Sequence, residues 1–241
     1  MIPKTIHYCW FGGKPLPSLA EKCLKSWAKY CPDYQIKRWD ETNFDVNICR
    51  YVKEAYEARK YAFVTDFVRL WVLVKFGGIY MDTDVEVLKS LDPILQYHAV
   101  SGFEDEFSIP TGLMASEKGF ALFSEFLNEY KDISFILPNG TYDTIANVVR
   151  ITNTCVKYGL IRNNTLQEIR GFMIFPKEYF CPKEYATGKI NITPNTLTIH
   201  HYMSSWISKG ALFRLNLRHW LTKYCPVTLR NKIFKLWEKL R

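Results

Sequence analysis

The chain has 241 residues, of which 48% are apolar and 23% charged. That composition supplies a hydrophobic core and excludes a disordered protein. The net charge of +8 would by itself suggest nucleic acid or an anionic membrane as partner.

In chain order, residues 5–10 read as a buried strand, ended by Gly12-Gly13 and a loop with Pro15 and Pro17. Ser18 followed by Glu21 has the spacing of a capping box. The helix after it carries Leu19, Cys23, Leu24 and Trp27 on one side. Residues 34–39 alternate as a second strand. Strand, helix and strand in that order make a βαβ unit, hence a parallel sheet and an α/β fold.

Residues 45–58 and 61–76 have helical patterns. The second is the most apolar helix of the chain, and Gly77-Gly78 stop it. Ile79-Tyr80-Met81 is then a short buried strand that runs into Asp82-Thr83-Asp84. Further strands are expected at 98–103, 112–115, 171–175 and 197–202, and helices at 119–131 and 143–158.

The tail is different in kind. Residues 207–241 carry nine basic side chains and one acid, whereas residues 1–206 carry 23 of each sign. The division expected is a neutral body, 1–206, and a basic helical appendage, 207–241. Two amphipathic helices are expected there, at 208–224 and 227–240, parted by Pro226. Basic side chains facing Trp220, Trp237 and several leucines form the pattern of a helix lying on an anionic membrane surface. Packing of the apolar stripe on the body is the other reading.

The seven cysteines show no C-x-x-C pair and no zinc spacing, which fits reduced thiols in a cytosol. Met1-Ile2-Pro3-Lys4 enters a strand-like run with no apolar leader. The expectation is a cytoplasmic protein, peripheral at the inner face of the cell membrane.

Three groups of residues carry chemistry. Asp82 and Asp84 share a face if their strand continues, and paired carboxylates invite a divalent cation that in turn holds a diphosphate. Asp66 and Arg69 interrupt the apolar helix one turn apart. They read equally as an intrahelical ion pair or as a buried pair facing a polar ligand. His200-His201 end a strand, where only one of two neighbours can face a given side; imidazole is a common ligand of first-row metals.

These segments resemble glycosyltransferase family 32. This is the group of yeast initiating mannosyltransferase-like enzymes, α-galactosyl- and α-N-acetylglucosaminyltransferases and bacterial capsule-synthesis proteins, and the glucosylating clostridial toxins share its pattern. Residues 61–70 with Gly77-Gly78-Ile79-Tyr80-Met81-Asp82-Thr83-Asp84 are similar to its sugar-binding region. Ile2-Pro3-Lys4-x-Ile6-His7-x-x-Trp10-x-Gly12-Gly13 is similar to its N-terminal motif, and His201-x-x-Ser204-x-Trp206 to its C-terminal one.

The resemblance implies a GT-A type, Rossmann-like mixed sheet flanked by helices, and retaining transfer from a nucleotide sugar with Mn2+ or Mg2+. Trp10 would stack on the nucleobase. Asp66 and Arg69 would bind the donor sugar and ribose. Asp82 would orient the ribose or reach the metal through water, and Asp84 would bind the metal directly, with His201 as a further ligand. Ser204 and Trp206 would contact the diphosphate and close over it. The acceptor would be a lipid-linked or polysaccharide glycan of the bacterial surface. Relatives often carry Gly-Pro where this chain has Asp143-Thr144-Ile145-Ala146-Asn147, which leaves the acceptor side undefined.

Two other classes compete. A phosphohydrolase of the haloacid dehalogenase type also places D-x-D after a buried strand, but Glu86 stands where that pattern needs Thr or Val. A nucleic-acid-binding protein would use the basic tail, but the neutral body speaks against it, and no nucleic-acid partner is expected.

Overall fold

A computed structural model describes residues 1–203, together with 210, 217 and 221. The chain divides into two compact units: residues 1–182 with 192–201, and residues 183–191 with 202–241. The expected boundary at 206 and the two tail helices lie outside the described residues. In the second unit, Lys183 bridges Ile190 and the Tyr185 ring meets Tyr202 edge-on at 5.4 Å.

The first unit begins with β1 (Thr5–Cys9), α1 (Ser18–Tyr30) and β2 (Gln35–Trp39), followed by α2 (Arg50–Glu57), α3 (Tyr61–Phe76), β3 (Gly78–Met81) and β4 (Val85–Val87). It continues with β5 (Ala99–Gly102), β6 (Leu113–Ser116), α4 (Ala121–Asn128), α5 (Asn147–Lys157), β7 (Gln167–Ile169), β8 (Phe172–Phe175) and β9 (Thr198–His200). Seven strands form one mixed sheet in the order β2-β1-β3-β6-β5-β8-β7, and β4 and β9 form a two-stranded ribbon. β1 runs parallel to both β2 and β3, as the βαβ reading requires, and β6 runs antiparallel to β3.

The sheet has a core on each face because strand side chains alternate. Ile79 and Met81 of β3 join Ile6, Trp27 and Val85 on one face. Tyr80, between them in sequence, joins Leu70, Leu73 and Phe123 on the other. On the first face the Trp27 indole donates to the Val85 carbonyl at 2.7 Å, fixing α1 to β4. On the second, α3 buries Val64, Val68, Leu70, Val72 and Leu73 completely.

Several boundaries differ from the sequence reading, each for a local reason. No capping box forms at α1: Pro17 is the N-cap, no side chain caps it, and Glu21 donates its backbone N–H to the Pro17 carbonyl. The helix expected from residue 45 starts at Arg50, because Asp45 Oδ1 captures the Asn47 N–H at 2.9 Å, a local turn that competes with helix. The helix expected from residue 143 starts at Asn147 in the same way: Asp143 Oδ1 accepts the Ile145 N–H at 3.1 Å. The most apolar helix ends where expected. Gly77 has φ +69°, and a Cβ there would lie 2.7 Å from the Lys118 nitrogen, so glycine is required for both reasons.

Candidate functional site

The site lies at the carboxyl ends of β1 and β3, the edge where open α/β sheets bind ligands. These strands are parallel neighbours with His7 opposite Tyr80. Trp10 follows the first and Asp82 the second, so both leave the sheet on the same edge.

Asp82 and Asp84 are not on a continuing strand. The Val85 N–H returns to the Asp82 carbonyl at 3.0 Å, closing a tight turn between β3 and β4. That turn, rather than strand alternation, brings the carboxylates together. β9 then pairs antiparallel with β4, with His200 opposite Val85. His200 Nε2 lies 3.4 Å from Asp84 Oδ1. Ligand atoms of Asp82, Asp84 and His200 all fall within 4.8 Å of one another.

This donor set fits a divalent cation. Two carboxylates that repel each other and an imidazole form the mixed oxygen and nitrogen set that first-row metals accept. Asp84 is 7% exposed, and burying it that deeply needs a positive counterpart. Burial disfavours protonation of His200, but the Asp84 carboxylate overrides this and raises the imidazole pKa well above its ordinary value. The backbone is shaped around the ring: a Cβ on Gly112 would lie 2.7 Å from His200 Cε1.

The structure brings His200, and not His201, to the aspartates. His201 Nε2 instead meets Glu86 Oε2 at 2.8 Å, and Lys22 Nζ lies 2.9 Å from Glu86 Oε1. Adjacent residues at a strand end face opposite sides, so the register of β9 decides which imidazole reaches the site.

Arg69 is the centre of the polar cluster beside this turn. Its guanidinium lies 3.1 Å from Asp66 Oδ1 and 3.4 Å from Asp82 Oδ1, and it donates to the Thr111 carbonyl. It also sits 4.9 Å from the centre of the Tyr80 ring, whose hydroxyl donates to Asp82 Oδ1 at 2.9 Å. Asp66 and Arg69 therefore form the intrahelical pair, and its arginine also reaches the D-x-D turn. Burial pushes the Asp66 carboxyl up to about 6, although Arg69 pulls it down.

Trp10 is half-buried, and its indole donates to the Lys14 carbonyl at 2.6 Å. Its loop packs closely on α3, since a Cβ on Gly12 would fall 2.3 Å from the Tyr61 ring. Ser204 and Trp206 lie outside the described residues.

Sequence reasoning passed over Thr111, Tyr80, Asn147 and Glu104. Thr111 acts through its carbonyl, which no side-chain pattern discloses. Asn147 donates its backbone N–H to Asp66 Oδ2 at 3.3 Å. Burial raises Glu104 to about 7, with His200 lowering it and Asp82 raising it, so its carboxyl lies in the field of the same cluster. Glu104 opens the acidic run Glu104-Asp105-Glu106, which reads as a solvated loop and gives no sign that one member is half-buried.

Comparison with known proteins bears on the D-x-D region and on the fold. Residues 17–101 match the family described as the glycosyltransferase sugar-binding region containing a DXD motif, so the resemblance read from residues 61–84 holds. Over 134 residues the chain is 31% identical to inositol phosphoceramide mannosyltransferase 3 of Schizosaccharomyces pombe, covering 52% of this chain and 35% of that protein. It thus spans about a third of that relative's length. Among solved structures, PaToxG glycosyltransferase aligns over 65% of this chain and 68% of its own, with a TM-score of 0.51 and 18% identity. The galactosyltransferase LgtC, in complex with donor and acceptor sugar analogs, aligns over 95% and 99% with a TM-score of 0.44 and 16% identity. The fold is that of the GT-A glycosyltransferases: a central mixed sheet flanked by helices.

Proposed function

We propose that this chain is a retaining, metal-dependent glycosyltransferase. It moves a hexose or N-acetylhexosamine from a nucleotide sugar, a UDP-sugar being favoured, to a lipid-linked or polysaccharide acceptor. The setting is bacterial surface-glycan synthesis: capsule, O-antigen or lipopolysaccharide. The observation that carries the reading is the convergence of Asp82, Asp84 and His200 within 4.8 Å, with Arg69 held against the same turn. The name of the yeast relative, a mannosyltransferase acting on inositol phosphoceramide, supports a hexose donor and a lipid-borne acceptor.

Asp84 and His200 would hold Mn2+ or Mg2+, with Asp82 beside them. Bound there, the cation supplies Lewis-acid neutralisation of charge growing on the leaving diphosphate. The protein's own residues do the rest. Arg69 presents a permanent charge fixed by Asp66, Asp82 and Thr111, so it needs no reorganisation as the sugar–phosphate bond breaks. Asp66 accepts hydrogen bonds from donor hydroxyls, and Trp10 stacks on the nucleobase. Ser204 and Trp206, which lie outside the described residues, would serve the diphosphate by the family resemblance. In a front-face displacement the acceptor oxygen bonds to the anomeric carbon on the side the diphosphate leaves, and the departing phosphate oxygen takes the acceptor proton.

A screen of UDP- and GDP-sugars with Mn2+ tests the assignment. A matching donor raises the melting temperature and is slowly hydrolysed, and Asp84→Ala abolishes that turnover. Unchanged turnover in this variant would overturn the reading.

For residues 207–241 we propose attachment to an anionic membrane surface, where such an acceptor would reside. The supporting feature is the confinement of the whole charge excess to this segment. Binding to phosphatidylglycerol vesicles should be lost when residues 212–241 are removed; retained binding refutes the attachment.

A further inference from the structure

Asn147 closes the segment 143–147, whose role the sequence leaves open. The structure gives it a definite place. It is the first residue of α5, 1% exposed, and every polar group of its side chain is engaged. Its Nδ2 donates to the Asp66 carbonyl at 2.8 Å, and its backbone N–H donates to Asp66 Oδ2 at 3.3 Å. Its Oδ1 accepts the Tyr130 hydroxyl at 3.1 Å. A carbonyl can only accept, so the Nδ2 contact fixes the amide orientation, and Tyr130 must be the donor on the other side.

Tyr130 is itself immobilised. It is 1% exposed and meets the Tyr51 ring edge-on at 4.9 Å and the Phe67 ring at 5.8 Å. The turn before Asn147 is fixed in the same manner, since Asp143 takes the Ile145 N–H on one oxygen and pairs with Arg150 on the other. The Asp66 carboxylate is thereby held at both ends: Oδ1 by Arg69 and Oδ2 by Asn147. Each carboxylate oxygen keeps a further acceptor site for a ligand hydroxyl.

We infer that Asn147, locked by Tyr130, is the positioning residue that aims the Asp66 carboxylate at the sugar of the donor. The inference rests on the donor-site reading above and deepens it. The segment 143–147 is then part of the donor half of the site, and its effect is on recognition of the sugar ring rather than of the nucleotide. The Asn147 amide acts through the backbone: bonded to the Asp66 carbonyl, it seats the start of α5 so that the Asn147 N–H meets Asp66 Oδ2, and its removal loosens that contact while leaving Trp10, Asp84 and His200 untouched. A residue that merely stabilised the fold would weaken nucleotide and nucleotide sugar alike.

The test measures Mn2+-dependent binding of UDP and UDP-glucose, and of GDP and GDP-mannose, by calorimetry. The ratio of nucleotide-sugar affinity to bare-nucleotide affinity is compared between wild type, Asn147→Ala and Tyr130→Phe. The ratio should fall about tenfold in Asn147→Ala, the effect of the backbone N–H losing its seat on the Asp66 carboxylate once the bond to the Asp66 carbonyl is gone, with bare-nucleotide binding unchanged. Tyr130→Phe should shift it in the same direction by about threefold, and decides the matter if Asn147→Ala does not fold. An unchanged ratio, or equal losses for both ligands, overturns the inference and leaves the donor-site reading standing. Wild-type protein that binds none of the four ligands overturns that reading and the inference with it.

Discussion

The Arg69 guanidinium lies 3.4 Å from the Asp82 carboxylate, linking the middle of α3 to the turn after β3. The contact is buried on the Arg69 side, whose side chain is 6% exposed, while Asp82 keeps 25% of its surface. One cation therefore serves both a helix carboxylate and a D-x-D carboxylate, and a lysine could not span the same three partners. Arg69→Lys should lower sugar-transfer turnover by about 100-fold, roughly 3 kcal/mol of transition-state stabilisation. Arg69→Ala leaves two carboxylates unpaired and should destabilise the fold by about 3–5 kcal/mol. Steady-state kinetics and urea denaturation measure the two effects.

Asp66 sets activity against stability. Burial raises its carboxyl to about 6, although Arg69 opposes the rise. The folded state thus binds a proton more tightly than the unfolded chain. The linkage makes stability fall as pH rises from about 4 through 6, where the native protein must give up that proton. Asp66→Asn should remove this slope and gain about 2 kcal/mol at pH 7, while abolishing transfer. Denaturation midpoints across pH 4–8 provide the check.

His7 produces the opposite slope. Its imidazole is buried, with Nε2 against the Gly77 carbonyl at 2.9 Å and the Trp39 indole N–H donating to Nδ1 at 3.1 Å. Neutral His7 satisfies both, with its proton on Nε2; a second proton on Nδ1 would confront the Trp39 N–H. Burial lowers its pKa to about 4. Stability from this group is full above about 6.5 and is lost as pH falls through 4. His7→Leu should cost about 2 kcal/mol at pH 7 by leaving the Trp39 donor unmet and should flatten the acid limb of the melting temperature.

Gly112→Ala should act on the metal without touching a ligand. Its Cβ would lie 2.7 Å from His200 Cε1, so the imidazole must move away from Asp84. Mn2+ affinity, followed by calorimetric titration, should fall about 10- to 100-fold, the range seen when a metal ligand loses its support. Stability in the presence of EDTA should change little by comparison.

The fold was legible because its signals were redundant. In α3 a long apolar pattern met a glycine stop, and residues 5–39 spelled strand, helix and strand. The D-x-D motif and the Asp66/Arg69 pair were legible because charge is conspicuous inside an apolar run. Boundaries failed where Asp45 and Asp143 turned their side chains back on the local backbone, a contest that periodicity does not register. The histidine at the aspartates followed from the register of β9 on β4, a long-range property. Thr111 contributes a carbonyl, and every residue has one.

The β4–β9 ribbon also governs when the site comes into being. β4 emerges early and its partner β9 late in synthesis, for Val85 faces His200 across the ribbon. The sheet from β1 to β6 can condense long before that pairing, since long-range pairings form slowly. Until β9 docks, Asp84 has no imidazole beside it, and a nascent or clipped chain ending before residue 198 presents the aspartates without their third member. Under the proposed function, such fragments would lack a complete cation site and with it the hold on a donor diphosphate.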